Sequence, residues 1–98
     1  MTPLLPSDKA ALILSLLSRR PEMYGLELVE ASNGALKRGT VYVTLARMEN
    51  AGLLRSITGE LPAPGGLPRR RYQISAEGVR ALRACELAGA ELARPVAR

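Results

Sequence analysis

The 98-residue sequence has no histidine, no tryptophan and no phenylalanine, and Cys85 is its one cysteine. Each gap removes a class of chemistry. Without histidine and with a single thiol, ordinary zinc sites, disulfide frameworks and both Ser/His and Cys/His nucleophile arrangements are excluded. Glu27, Glu49 and Glu77 fall on predicted helices with no second acid at a telling spacing, so nothing marks an enzyme or a cofactor site. With Tyr24, Tyr42 and Tyr72 as the only aromatics, the core must be built from Leu, Val, Ile, Met and Ala, and one so thin favours association with a second subunit. No apolar run approaches the roughly eighteen residues needed to cross a bilayer. The N-terminus also lacks the order of a signal peptide, which points to the cytoplasm and away from a membrane partner.

What is present is a concentrated positive charge. The net charge is +5, and the segment from Lys37 to Tyr72 carries all of it: Lys37, Arg38, Arg47, Arg55, Arg69, Arg70 and Arg71 against Glu49 and Glu60. The rest of the chain is neutral. A basic stripe confined to one module is the footprint of a polyanion binder.

Within that segment, RGTVYVTLARMENAGLL reads as a helix with a sharp stop at Gly52. Val41, Leu45 and Met48 recur at the spacing that places a stripe on one side, the core side. Lys37, Arg38, Thr40, Tyr42, Val43, Thr44 and Arg47 are left facing outward near the helix start. Such a face suits DNA, with cations for phosphate, hydroxyls for phosphate or base edges and methyls for thymine. An ordinary solvated helix face is the alternative.

Around this helix the chain is short enough to be one compact unit. Met1 to Pro6 is a proline-containing arm, and Ser7 or Asp8 caps a first helix that runs to about Arg19. That helix is apolar nearly all round. One side packs inside the subunit and the other, with Leu12 and Leu16, against a partner chain, unless the helix is wholly buried. Pro21 ends it. A second helix from Tyr24 to Ala31 offers Leu26, Leu28 and Val29 to the core and stops at Asn33 and Gly34.

Past Gly52 the period changes. Leu53 to Thr58 and Arg70 to Ser75 are β-compatible runs separated by GELPAPGGLP, an antiparallel hairpin with a long tip. Alternation puts Arg70 and Tyr72 on one face and Arg69 and Arg71 on the other. Ser75 caps a last helix, Ala76 to Ala93, ended by Pro95, in which Leu82, Cys85, Gly89 and Leu92 form a narrow helix-pairing seam. Cys85 reads as a small apolar group, since a redox sensor would want a nearby cation and Arg83 is a weak candidate.

Three helices, a two-stranded wing and a C-terminal dimerisation helix make a mainly α, α+β chain of the winged helix-turn-helix type. Residues 1–75 form the DNA-binding part and 76–98 the dimerisation helix, packed on the first helix of the partner. At this point a resemblance enters. PEMYGLELVE, RGTVYVTLARMENAGLL and PRRRYQISAEGVRAL resemble the signature blocks of the PadR family of bacterial transcriptional regulators, in its compact form with a single C-terminal helix.

That resemblance implies a homodimeric repressor on an inverted repeat of double-stranded DNA, its own promoter included. It implies that Gly39, Thr40 and Tyr42 reach the major groove, Tyr42 at a phosphate, and that Arg69, Arg70 and Arg71 lie along the backbone or minor groove. Tyr24 and Gly25 serve packing of the second helix, with the Tyr24 hydroxyl within reach of a phosphate. Where relatives often have Ser-Pro before Gly-Thr and Pro after Tyr, this chain has Lys37-Arg38 and Val43, so base preference does not carry over. Compact relatives that hold flat aromatic ligands between tryptophans have no counterpart here, which leaves the identity of any small-molecule effector open. The rival reading is a winged helix that docks on an acidic protein without sequence-specific DNA binding.

Overall fold

A computed structural model of the chain describes residues 7–62 and 68–93, with side chains described over 7–58 and 70–88. The N-terminal arm, the middle of the GELPAPGGLP loop and the stop at Pro95 lie outside the described residues, and so do the side chains of Arg69, Gly89 and Leu92.

The elements follow from local chemistry. Helix α1 (Asp8–Arg19) starts where the Ser7 hydroxyl accepts from the Ala10 amide at 3.2 Å, with Asp8 in the first turn and Arg19 in the last. A short strand β1 (Met23–Tyr24) leads into α2 (Gly25–Ala31), whose start is closed by the Glu27 carboxylate accepting from the Tyr24 amide at 2.8 Å. Asn33, at φ 53°, and Gly34, at φ 92°, then turn the chain. Helix α3 (Arg38–Asn50) ends on Gly52 at φ 81°. There the Leu53 amide donates to Met48 at 2.9 Å and the Gly52 amide to Glu49 at 3.0 Å, the paired bonds of a Schellman stop.

Strands β2 (Leu54–Pro62) and β3 (Pro68–Ile74) pair antiparallel, so the hairpin reaches further into its proline-rich loop than the alternation alone indicates. The sheet has three strands rather than two, in the order β1-β3-β2. Met23 lies opposite Tyr72 and Tyr24 opposite Arg71. A two-residue strand has no period to read, and what holds it there is the burial of Met23.

Helix α4 (Ala76–Ala93) closes the fold over α1 and the sheet. Its anchor is Ser75, whose hydroxyl donates to the Gly52 carbonyl at 2.6 Å and accepts from the Gly78 amide at 3.0 Å. Ile13, Leu14 and Leu17 of α1, Leu28 of α2, Val41, Leu45 and Met48 of α3 and Leu54 and Tyr72 of the sheet form one core, with Leu12, Leu16 and Val29 packed at its margin. Two expectations change here. Leu26 is 42% exposed, because a seven-residue helix presents only one stripe inward and Leu28 occupies it. Leu82 is buried in the subunit's own core, so it has little surface left for a partner helix.

Candidate nucleic-acid interface

Helix α3 separates its two faces cleanly. Val41, Leu45 and Met48 are buried, whereas Lys37, Arg38, Gly39, Thr40, Tyr42, Val43 and Arg47 are exposed and Thr44 is half-buried. The outward positions expected from the sequence are therefore open to solvent, Thr44 only in part. The Thr44 hydroxyl donates back to the Thr40 carbonyl at 3.3 Å, which leaves its oxygen lone pairs to the outside. The start of α3 has no side-chain cap; the Lys37 carbonyl instead accepts from Thr40 at 3.1 Å and Val41 at 2.9 Å.

Tyr42 is fixed from below by a residue with no side chain. A methyl group at Gly25 would lie 2.6 Å from Cε1, 2.8 Å from Cζ and 2.9 Å from the hydroxyl oxygen of Tyr42. The ring thus rests on the backbone at the start of α2, with 48% of the residue open to solvent. Gly25 lets the two helices of the helix-turn-helix approach, and the phenol is held where they meet.

The wing is tied to α3 and to β1 by side chains. The Ser56 hydroxyl on β2 donates to the Glu49 carboxylate on α3 at 2.6 Å. On β3, Tyr72 is buried, and burial pushes its phenol above the ordinary value of 10.0, with Arg70 opposing and Glu49 and Tyr42 adding to the rise.

The arginine run divides. Arg70 is exposed. Arg71 instead pairs through Nη1 with Glu22 at 2.7 Å, and the other oxygen of the same carboxylate accepts from the Gln73 amide at 3.1 Å. Arg71 is therefore a clamp between β3 and the turn before β1, which leaves it less free than Arg70 for the phosphate role expected of it. Glu22 escaped sequence reasoning because its partners lie 49 and 51 residues away.

Of the residues expected at a subunit contact, Leu12 and Leu16 are half-buried at the core margin and Cys85 is half-buried on α4. Burial, with Glu86 beside it, pushes the Cys85 thiol above its usual range, which disfavours the reactive thiolate. The most open large apolar residue described on α4 is Leu87, at 69% exposure, which the narrow seam did not include. It was visible as an apolar residue between Glu86 and Ala88 but belongs to another face of the helix. Among the described residues, no helix is long and apolar enough to cross a membrane.

Helix-turn-helix, hairpin and closing helix, with cations and hydroxyls on the exposed side of α3, define a winged helix-turn-helix protein. The chain belongs to the Transcriptional regulator PadR-like family, whose model matches residues 13–84. It is a family of transcriptional regulators rather than enzymes. A PadR family transcription regulator from Clostridium difficile has a similar structure, with a TM-score of 0.75 at 28% identity, covering 88% of this chain and 91% of that one. A PadR family regulator from Eggerthella lenta is 35% identical with a TM-score of 0.71, covering 85% of this chain and 72% of its own. The PcaV regulator of Streptomyces coelicolor, solved with its natural ligand, shares the fold alone: 21% identity, a TM-score of 0.74, and coverage of 94% of this chain and 61% of that one. No curated protein sequence matches the chain.

Proposed function

We propose that this chain is a homodimeric, sequence-specific DNA-binding repressor that acts in the cytoplasm on an inverted repeat in a promoter, its own included. One observation carries the reading: the exposed face of α3 gathers Lys37, Arg38, Thr40, Val43 and Arg47 within the segment that holds the entire net charge. Lys37, Arg38, Arg47 and the wing residues Arg69 and Arg70 take phosphates, Tyr42 takes a phosphate at the meeting of α2 and α3, and Gly39, Thr40, Val43 and Thr44 approach base edges. Tyr24 stands beside the same backbone path. Residues 1–75 carry the DNA contacts. The second half of α4, with Cys85, Gly89 and Leu92, joins Leu12 and Leu16 of the partner's first helix in the dimer.

A two-fold dimer presents two reading helices, so the half-sites are spaced by about 10 base pairs, roughly 34 Å, or a multiple of that. The test is titration of the purified protein into a labelled fragment of its own upstream DNA, with unrelated DNA as competitor, at two salt concentrations. Binding that survives competitor and weakens with salt supports a specific regulator. Equal binding to both DNAs refutes sequence specificity. Absence of binding favours the protein-docking alternative, for which the exposed Leu26 and Val43 would be the anchors.

A further inference from the structure

Val43 is the crest of α3. It stands two residues from both Val41 and Leu45, so at 3.6 residues per turn it points about 160° away from each of these buried anchors. Correspondingly it is 54% exposed, the highest value among the large apolar residues described on this helix. An isopropyl group facing water there contributes nothing to the fold. Its neighbours one turn away are Gly39, Thr40, Ala46 and Arg47, all exposed. None is acidic, and the one carboxylate on α3, Glu49, is turned to β2 by its 2.6 Å bond with Ser56. The crest is thus an apolar point between small residues, with Lys37 and Arg38 before it and Arg47 after it.

A protein partner would have to bring acids to those cations. A major groove supplies phosphates on both sides and, between them, one apolar group on a base edge: the 5-methyl of thymine. We infer that Val43 reads the 5-methyl group of a thymine in each half-site, so that this position selects a 5-methylated pyrimidine. The inference rests on the DNA-binding reading above and adds a specificity residue to it. Cations on phosphates carry no sequence information, and a threonine hydroxyl accepts more than one base. Valine offers only van der Waals contact, which distinguishes a methyl group from a hydrogen and little else.

The experiment selects binding sites from a random duplex pool with the full-length protein. Each thymine of the selected site is then replaced in turn by deoxyuridine, which removes only the methyl group, and affinity is measured for wild type and Val43→Ala. Circular dichroism checks the fold, which an exposed position leaves intact. At one thymine per half-site the wild type loses about fourfold, the effect of one buried methyl, and about fifteenfold when both half-sites are changed. Val43→Ala shows no loss there while keeping any sensitivity at other thymines. Two results overturn the inference yet leave specific DNA binding standing: deoxyuridine tolerated at every thymine, or a discrimination that survives Val43→Ala. A pool that yields no preferred site overturns both readings.

Discussion

Three glycines on helices make a matched test of the packing, because the same substitution by alanine meets three different surroundings. At Gly78 the added methyl would fall onto the Leu53 carbonyl oxygen, 2.7 Å from Cγ1 of Ile74 and 3.2 Å from Cδ2 of Leu14. The carbonyl cannot retreat, since it accepts from the Ser75 amide at 3.0 Å, and Ser75 is itself bonded to Gly52 and Gly78. Helix α4 must lift instead. Overpacking costs about 1–3 kcal/mol, a strained or lost buried hydrogen bond adds about 1 kcal/mol, and the helix preference of alanine over glycine returns about 1 kcal/mol. The net is about 1–3 kcal/mol, or roughly 5–20 °C in Tm for a domain of this size.

At Gly39 nothing lies within 4 Å, so Gly39→Ala gains about 0.5–1 kcal/mol from backbone entropy. At Gly25 the atoms nearest the methyl belong to the outer end of the Tyr42 ring, a half-exposed side chain that the methyl would displace. Gly25→Ala therefore changes Tm by little but displaces the phenol, and DNA affinity falls without loss of fold. Thermal unfolding by circular dichroism at one fixed protein concentration reads the first effects, since the proposed dimer would make Tm concentration-dependent. DNA titration reads the third. The order Gly39→Ala, Gly25→Ala, Gly78→Ala from most to least stable is the expected outcome. A Gly78→Ala protein as stable as wild type would refute the close seating of α4 on the Leu53 carbonyl.

Ser75→Ala removes the cap of α4 and leaves the Gly52 carbonyl and Gly78 amide unpaired, which lowers the unfolding free energy in urea by about 1–3 kcal/mol. The Tyr72 phenol, held above its ordinary 10.0, binds its proton more tightly folded than unfolded. Its contribution is fully present below pH 10 and is lost as pH rises through the folded value; ultraviolet titration should show one late phenol that Tyr72→Phe removes. Arg70→Ala should weaken binding to all DNA sequences and lower the salt slope by about 1 per subunit. Arg71→Ala should leave that slope nearly unchanged and instead reduce stability by about 1 kcal/mol, because it strips a half-exposed Glu22 of its partner. Equal slopes for the two variants would contradict the division of the arginine run.

The helices were legible because their signals are local. Ser7, Asn33, Gly34, Gly52 and Ser75 mark ends by backbone chemistry that acts within a few residues, and the stripe of Val41, Leu45 and Met48 needs only a period. The outward face of α3 was legible for the same reason, being what the stripe leaves over. Long-range pairing was not. Strand β1 exists because Met23 and Tyr24 lie beside Tyr72 and Arg71, and nothing in a two-residue stretch encodes a partner nearly fifty residues on. Leu82 and Leu26 fail in a related way. Periodicity says that a residue lies on a stripe, but which neighbour covers the stripe is settled by tertiary packing, which buried one of these leucines in its own subunit and left the other outside.

The arginine run shows how little of function composition alone contains. Arg70 and Arg71 are the same residue at adjacent positions, and the pleat sends them to opposite faces of β3. One face carries the exposed Arg70 and the buried Tyr72; the other runs over Glu22, whose two carboxylate oxygens accept from Arg71 and Gln73. A one-residue slip of β3 would exchange the two roles and turn Tyr72 out of the core. The register is held against such a slip from both sides, by Met23 and Ser56 opposite Tyr72 and by Ile57 opposite Arg71. Of the seven cations of the central segment at most six are accordingly left for a polyanion, because Arg71 is already answered within the subunit.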